Sequence, residues 1–248
     1  MFVYRETEVQ HALKMLGSGV SRTSVSKTTG ISRSTLRRWE LGHTPQWAEV
    51  IRPQEMARDV RPFYAYLLGV YLGDGHLANA PREVFRLDLT LDVRYPNIVE
   101  EAVKAISIVR PDNRVLVRER NDSAAVIVGC SSKQWPLLLP QHGKGLKHRR
   151  RIALLPWQAE ITHAFARQLI RGLIHSDGCR FVARQRTRGK AYEYARYAFS
   201  NRSADIRRLF TDACDLLDVE WRPWGPYHIS VARRDSVAIL DSFIGPKA

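Results

Sequence analysis

The sequence is poor in cysteine and has no long apolar run. Its three cysteines, Cys130, Cys179 and Cys214, lie far apart and form no C-x-x-C pair, which argues against both a disulfide framework and a zinc ribbon. This cysteine usage is typical of a reducing compartment, so we expect a cytoplasmic protein, associated with the nucleoid if the cell is bacterial. No segment approaches the roughly 18 uninterrupted apolar residues of a membrane-spanning helix, and we expect no membrane partner.

Acidic residues are scarce relative to basic ones. The 248 residues include 39 Lys and Arg but only 25 Asp and Glu, which gives a formal net charge of +14 at pH 7. An excess of that size favours a polyanionic partner, and nucleic acid is the commonest one. The hydrophobic fraction of 44% is high enough for a packed core, so the composition excludes a disordered chain.

The first 42 residues have the pattern of short helices joined by a sharp turn. Gly30 falls where the turn is needed, because glycine tolerates a left-handed backbone, and Ser32 is a suitable N-cap for the helix that follows. The pattern resembles the helix-turn-helix family of DNA-binding modules. The resemblance implies that Arg33, Ser34 and Arg37 face base edges or phosphates. A three-helix module that only packs against protein is the alternative.

Residues 43–61 contain two prolines and no clean hydrophobic period, and we interpret them as a linker. Beyond it, one motif occurs twice, as LLGVYLGDG at 67–75 and as IRGLIHSDG at 170–178. A shift of 103 residues aligns the two copies and also aligns Lys144 with Lys247. Matching motifs followed by matching elements indicate an internal duplication.

Gly69 and Gly172 lie in the middle of the two helical motifs. A glycine there costs about 1 kcal/mol relative to alanine, a cost that a helix accepts when another backbone approaches closely. We therefore expect the two helices to pack side by side and to bring Asp74 and Asp177 together at their C-terminal ends. The glycines that follow, Gly75 and Gly178, are expected to leave the helices in a left-handed turn.

Two carboxylates at the negative ends of two helices repel each other. A divalent cation between them would offset the repulsion, and ligation by oxygen alone favours Mg²⁺ or another hard ion such as Mn²⁺. The pattern thus indicates a metal site at Asp74 and Asp177.

The remaining pattern predicts an α+β fold of two αββαββα repeats, at 62–153 and 165–248, with an inter-repeat linker at 154–164. Alternating residues indicate strands, and apolar residues with a period near 3.6 indicate helices. In the first repeat, a helix from Pro62 precedes strands at 85–92, 113–120 and 124–130 and helices at 96–109 and 131–139, with residues 77–83 as a further strand or turn. In the second, helices are expected at 165–176, 203–217 and 234–243 and strands at 180–188, 192–200, 219–222 and 227–233.

The two motifs and this element order resemble the LAGLIDADG homing endonucleases in their monomeric, two-repeat form. The resemblance implies a concave eight-stranded saddle across the major groove of DNA, with Asp74 and Asp177 each binding metal and helping to cleave one strand. Gly73 and Ser176, which precede the two acids, are the further metal ligands that it implies. It also implies a lysine near each site, for which Lys144 and Lys247 are candidates.

Some residues depart from the family motif or compete for a family role. Lys147 is the alternative to Lys144. Gly73 stands where the family often has alanine, which we expect to be harmless. Arg171 and His175 stand where alanine and aspartate are usual, and Arg171 raises the question of how tightly the two helices pack. We expect His175 to be structural.

Arginines mark the expected DNA-binding surface. Four residues in the strand that follows the second motif have the same parity and should project from one face as a basic ridge: Arg180, Arg184, Arg186 and Arg188. The first repeat contributes Arg86, Arg118 and Arg120, which neighbouring acids dilute. The basic run at 146–151 supplies candidate phosphate contacts: Lys147, Arg149 and Arg150. Tyr192, Tyr194 and Tyr197 are expected to pack.

Two functions remain open from the sequence. One is a site-specific, divalent-metal-dependent endonuclease acting on double-stranded DNA, as a monomer that behaves as a pseudo-dimer and needs no protein partner. The other is a transcriptional regulator that binds specific DNA on the same fold without cutting it. Retention of both acids favours the enzyme. An intron-splicing maturase activity is known in the family, but no residue here singles it out.

Overall fold

The chain divides into two compact units, Met1–Val50 and Ile51–Ala248. The structure is a computed structural model that describes residue 4 and residues 6–44, 53–120, 124–187 and 190–245. Within these residues, no helix is long and apolar enough to cross a membrane.

The first unit contains three helices, α1 (Glu6–Gly17), α2 (Arg22–Thr29) and α3 (Arg33–Glu40). The turn between α2 and α3 has the expected chemistry. Gly30 has a φ of 72° and donates its N–H to Ser26 O, and the Ser32 side chain caps α3 by accepting from Thr35 N. One small core holds the helices together, with these residues buried: Val9, Ala12, Val25, Ile31, Leu36 and Trp39.

The second unit begins with a 3-10 turn at Pro53–Glu55 and continues with two similar runs of elements. The first run comprises α4 (Arg61–Asp74), β1 (Gly75–Ala80), β2 (Val84–Asp92), α5 (Pro96–Val109), β3 (Val115–Glu119), β4 (Ala125–Ser132) and α6 (Trp135–Leu138). The second comprises α8 (Ala166–Asp177), β5 (Gly178–Thr187), β6 (Lys190–Ser200), α9 (Ala204–Asp215), β7 (Arg222–Pro223), β8 (His228–Val231) and α10 (Arg234–Ile244). The α+β prediction is confirmed.

The segment between the repeats, interpreted from the sequence as a linker at 154–164, contains helix α7 (Pro156–Ala164). Pro156 can occupy the first turn of a helix, where no N–H is needed. Gln158 lies fully buried and accepts from Leu155 N, and its amide donates to the Tyr64 hydroxyl at 2.7 Å. The bond from Leu155 N caps the start of α7, and the bond to Tyr64 ties α7 to α4, a contact that the local sequence pattern does not reveal.

The described strands form two four-stranded antiparallel sheets with the same order, β1-β2-β4-β3 and β5-β6-β8-β7. One face of each sheet packs into the core, through Leu87 and Leu89 in the first sheet and through Tyr197 and Phe199 in the second. We call the opposite faces the open faces. Cross-strand register assigns them as follows: His76, Arg86, Asp88, Thr90 and Arg118 to the first, and Phe181, Tyr194, Arg196, Arg222 and Ser230 to the second.

Candidate active site and nucleic-acid interface

Helices α4 and α8 touch through their glycines, as the motif spacing predicts. A Cβ added to Gly69 would lie 2.6 Å from Leu169 O and 2.9 Å from Leu173 N. A Cβ added to Gly172 would overlap Tyr66 O and lie 2.9 Å from Val70 N. Any side chain at either position would therefore strike backbone atoms of the partner helix, which cannot turn aside as a side chain could.

Gly73 belongs to the same contact. A Cβ at this position would overlap the Ser176 hydroxyl and would lie 2.9 Å from Asp177 Oδ2. Gly73 and Ser176 occupy corresponding positions in the two motifs and face each other, so glycine at 73 leaves the room that the Ser176 side chain fills. The absence of a side chain at Gly73 also lets the C-terminal end of α4 lie directly beside the Asp177 carboxylate.

The backbone at the helix ends corrects one prediction. Gly75 and Gly178 have φ values of −93° and −114°, in the extended region rather than the left-handed one. Glycine is needed for a different reason, because each chain passes directly from helix to strand and folds over the last helical turn. A Cβ on Gly75 would lie 2.6 Å from Tyr71 Cα, and one on Gly178 would lie 2.7 Å from Ile174 Cα.

The two residues that depart from the motif do not loosen the helix pair. Arg171 donates to both carboxylate oxygens of Glu101 on α5, each at 2.7 Å, and to Phe243 O on α10. The buried His175 ring lies 3.0 Å from the Tyr66 hydroxyl and 3.1 Å from Ile244 O. Both side chains thus tie α8 to neighbouring helices, and His175 is structural, as expected.

The two acids occupy equivalent positions at the C-terminal ends of α4 and α8, and both are partly buried. Asp177 Oδ2 accepts a hydrogen bond of 2.6 Å from the Asn201 side-chain amide, and Asn201 Oδ1 accepts from Ser203 N. Asn201 follows β6 and was missed by the sequence analysis, because no local pattern marks an asparagine that reaches back to a carboxylate 24 residues earlier.

Lys147 is the lysine that the structure places at this site. Its ammonium donates to the last carbonyl oxygens of α4, at 3.0 Å from both Leu72 O and Gly73 O. Burial lowers the pKa of Lys147 to about 8, although Asp177 and Asp74 act in the opposite direction by favouring the charged form. Lys144, the first candidate, lies in an exposed loop, and Lys247 lies outside the described residues.

Two neighbours of Lys147 were also expected to contact phosphates. Arg150 turns inward, beside Gly143 and near Tyr71, and its Nε is buried without a partner in the described part of the chain. Burial raises the pKa of Tyr71 to about 12, against the opposing effect of Arg150. Arg149 is exposed. Of these three cations, Arg149 alone faces solvent, whereas Lys147 and Arg150 turn toward the protein.

The donors at the helix ends fit a hard divalent cation. They are the oxygens of Asp74 and Asp177 and the carbonyl oxygens that end α4, and oxygen-only ligation suits Mg²⁺ and Mn²⁺. The ammonium of Lys147 on three of these carbonyls shows that this place stabilises positive charge. Ser176 was also expected to bind the metal, but its hydroxyl turns back along its own helix and donates to Gly172 O and Leu173 O. Across the described ranges, no group of three or more His, Cys, Asp or Glu residues is placed to hold a metal ion, so a cation here would depend on the two aspartates and backbone oxygens.

The first open face carries arginines whose charge is compensated locally. Asp88 accepts from Arg86 Nε at 2.8 Å and from Arg118 Nη2 at 3.1 Å. This cluster lies above Gly129, where a Cβ would be 2.9 Å from Asp88 Oδ1. Arg120 is exposed at the end of β3.

The three described arginines of the expected ridge, Arg180, Arg184 and Arg186, do not lie on the open face of the second sheet. Arg180 pairs with Tyr197 across the strands and donates to Asp241 on α10 at 2.7 and 2.9 Å, on the helix side of the sheet. Strand alternation puts Arg184 and Arg186 on the same side, where both are exposed and Arg184 binds Glu193 at 2.8 Å. Arg188 lies outside the described residues.

The second open face instead carries Phe181, Tyr194 and Arg196, with Trp224 stacked on Phe181 at a centroid distance of 6.2 Å. Of the tyrosines expected to pack, Tyr197 is buried, whereas Tyr194 lies on this face. In the first unit, Arg33, Ser34 and Arg37 are exposed on α3.

Comparison with solved structures identifies the fold. I-DmoI in complex with DNA and Ca superposes with a TM-score of 0.50 and 14% sequence identity, over 76% of this chain and 92% of that chain. A variant of I-DmoI in complex with its target DNA in the presence of Mg superposes with a TM-score of 0.50 and 14% identity, over 77% of this chain and 99% of that chain. The LAGLIDADG meganuclease I-AabMI bound to uncleaved DNA has a TM-score of 0.47 and 10% identity, over 73% of this chain and 82% of that chain. Full-length DUF199/WhiA from Thermatoga maritima has a TM-score of 0.46 and 9% identity, over 78% of this chain and 58% of that chain.

No protein-family model and no curated protein matches the chain. The similarity to I-DmoI, together with the two glycine-paired helices that end in aspartate, establishes that the chain has the LAGLIDADG homing endonuclease fold.

Proposed function

We propose that this protein is a site-specific, divalent-metal-dependent endonuclease that hydrolyses phosphodiester bonds in double-stranded DNA. The observation that carries the proposal is the joining of α4 and α8 at Gly69, Gly73 and Gly172, which brings two aspartates together beside a buried lysine. Two carboxylates at neighbouring helix ends repel each other unless cationic groups offset their charge, and ionisable groups with perturbed pKa values cluster at functional sites. The structurally similar I-DmoI complexes contain DNA with Ca or Mg, which supports DNA as the substrate and a divalent cation as the cofactor of this chain.

Asp74 and Asp177 would hold the metal, together with the Gly73 carbonyl oxygen. Bound Mg²⁺ supplies Lewis acidity at the scissile phosphate and lowers the pKa of an attacking water molecule. Asn201 orients the Asp177 carboxylate through its 2.6 Å hydrogen bond. The three N–H groups of Lys147 lie on the carbonyl oxygens that end α4, so Lys147 would act on the phosphate through its charge rather than through a hydrogen bond. At neutral pH a pKa of about 8 leaves most of it protonated. The second lysine of the family pattern stays a proposal at Lys247.

The rest of the chain would supply affinity and register. Exposed Arg33, Ser34 and Arg37 on α3 are suited to base edges and phosphates, and the exposed Arg149 to phosphates. Because both motifs are in one chain, we propose that a single copy acts as a pseudo-dimer, with one acid per DNA strand.

Cleavage of a randomised plasmid library and of the native flanking DNA, in Mg²⁺ at low salt, tests this function. Asp74→Asn and Asp177→Asn keep the size of each side chain but remove its charge, and incubation with Ca²⁺ in place of Mg²⁺ serves as the metal control. Sequence-specific double-strand breaks that both variants lose are the expected result. Specific binding with no strand broken would contradict the endonuclease and favour the regulator.

A further inference from the structure

The two open faces differ in how their arginines are satisfied. On the first, Arg86 and Arg118 both donate to Asp88, whose side chain is only 13% exposed. Arg86 is held through its Nε and Arg118 through its Nη2, so one largely buried carboxylate fixes both guanidiniums and offsets part of their charge. An acceptor that approaches the first open face must therefore compete with Asp88.

Among the described residues, no carboxylate is paired with Arg196 on the second open face, and Glu220, which lines the same depression, binds Arg233 at 2.8 Å instead. Its guanidinium carbon lies 5.2 Å from the Tyr194 ring centroid and 5.6 Å from that of Trp224, and its Nη2 donates to the Tyr194 hydroxyl at 3.1 Å. Its Nε is buried and has no hydrogen-bond partner among the described residues. The two rings restrict the side chain, so an incoming acceptor meets a pre-organised donor.

A depression of about 540 Å³ surrounds this arginine. Ser230 lines it and is 7% exposed, and its hydroxyl, like Arg196 Nε, lacks a partner within the described ranges. Trp224, 51% exposed, forms a flat apolar wall. Two buried polar atoms without partners beside an exposed indole are suited to a planar ligand that brings hydrogen-bond acceptors.

We propose that Arg196 is the specificity-determining residue of the second repeat and that it reads a guanine in the major groove, with Ser230 and Trp224 completing the contact. The proposal rests on the function proposed above. Guanine presents two acceptors, N7 and O6, on its major-groove edge, and arginine is its commonest partner. A phosphate would leave the indole without a partner. Arg222 and Arg233 also line the depression, but both are paired with Glu220, at 3.5 and 2.8 Å, which leaves Arg196 as the better placed donor.

The experiment compares base preference rather than affinity alone. Duplexes from a randomised library are bound to the full chain in Ca²⁺, recovered and sequenced, for the unaltered protein, Arg196→Lys and the control Arg61→Lys. Arg196→Lys keeps the charge but loses the planar fork of donors, so preference for guanine at one position should fall about 10-fold or more. Arg61 lies at the start of α4, at the opposite end from Asp74, and binds Glu160 at 3.1 Å, so Arg61→Lys should leave every preference unchanged. Ser230→Ala, which removes only a hydroxyl, should weaken the same position and provides a second variant if Arg196→Lys does not fold.

The other outcomes separate this inference from the proposed function. A uniform loss of affinity with unchanged base preference would show that Arg196 binds phosphate and would overturn the inference. If the unaltered chain selects a target but does not cut it, the endonuclease fails while the assignment of Arg196 is still decided by its variant. If the unaltered chain selects no sequence, both proposals fall.

Discussion

Replacing Gly69 by alanine sets two effects of known sign against each other. Alanine in the middle of a helix is favoured over glycine by about 1 kcal/mol, so an isolated α4 would gain helical stability. In the folded chain, the new Cβ would lie 2.6 Å from Leu169 O, 2.9 Å from Leu173 N and 3.0 Å from Gly172 C. All three are backbone atoms of α8, and relief requires the helices to separate by roughly 0.5 to 1 Å.

Separation of this size should cost more than the helix gains. A gap of about 0.5 to 1 Å forfeits a quarter to a half of the dispersion energy along the contact, and overpacking of a tight core costs about 1–3 kcal/mol, or more where backbone must move. We expect the free energy of unfolding of the second unit to fall by about 2 kcal/mol after the propensity gain is included. DNA cleavage should fall further, because Asp74 and Asp177 would move apart.

Urea unfolding monitored by hydrogen exchange of the α4 and α8 backbone amides would report the stability of the second unit separately from that of the first. The matched control is Ala159→Gly on the exposed face of α7, which should cost only about 1 kcal/mol through helix propensity. If Gly69→Ala instead stabilises the second unit by the propensity term, the two helices do not touch at this residue and the account of the motif is wrong.

Three further predictions concern charge. Burial lowers the pKa of Lys147 from 10.5 to about 8, so as the pH rises the folded chain releases this proton before the unfolded chain does. In metal-free buffer the free energy of unfolding should therefore rise by about 1 kcal/mol between pH 7 and pH 9, relative to that of Lys147→Met. Equal pH slopes for the two proteins in urea unfolding would refute this. The hydrogen bond from Arg180 lowers the pKa of Asp241 below its ordinary value of 3.8. The ionised Asp241 should therefore contribute its full stabilisation above pH 3.8 and lose it as the pH falls through its folded pKa. In an acid titration, the stabilities of wild type and Asp241→Asn should converge at the acid end. Asp88→Asn should release the two arginines that it binds, strengthen binding to any duplex and make its salt dependence steeper by about one to two ions; an unchanged slope in a salt titration would show that these arginines stay off the DNA.

Much of the helix-pair geometry could be predicted from the sequence. Gly69, Gly172 and the acids five residues further on specify a close helix contact that ends in two carboxylates, because a helix tolerates glycine at its centre only for a close approach. The turn at Gly30 was also predictable, since a positive φ is a local property of the backbone. Gly75 and Gly178 show the limit, because the same residue type served a steric need in an extended conformation.

The arginines of β5 show what a local pattern cannot decide. Alternation establishes that Arg180 and Arg184 share a face, but not which face, because that depends on the strand with which β5 pairs. Arg180 lies opposite Tyr197, whose ring is in the core, and the face therefore meets Asp241 of α10. The packing of this face against α10, which the local pattern does not encode, is what reversed the predicted orientation.

By itself, the sequence determined the repeated motif, the order of most elements, the basic charge and the position of an aspartate at the end of each motif helix. All of these are properties of neighbouring residues or of composition. Only the tertiary structure decided that Lys147 rather than Lys144 approaches the acids, that Asn201 holds Asp177, and that Arg196 rather than Arg180 faces outward. These are contacts between residues far apart in the chain. Their energies depend on burial and distance, which arise only when helices and strands pack.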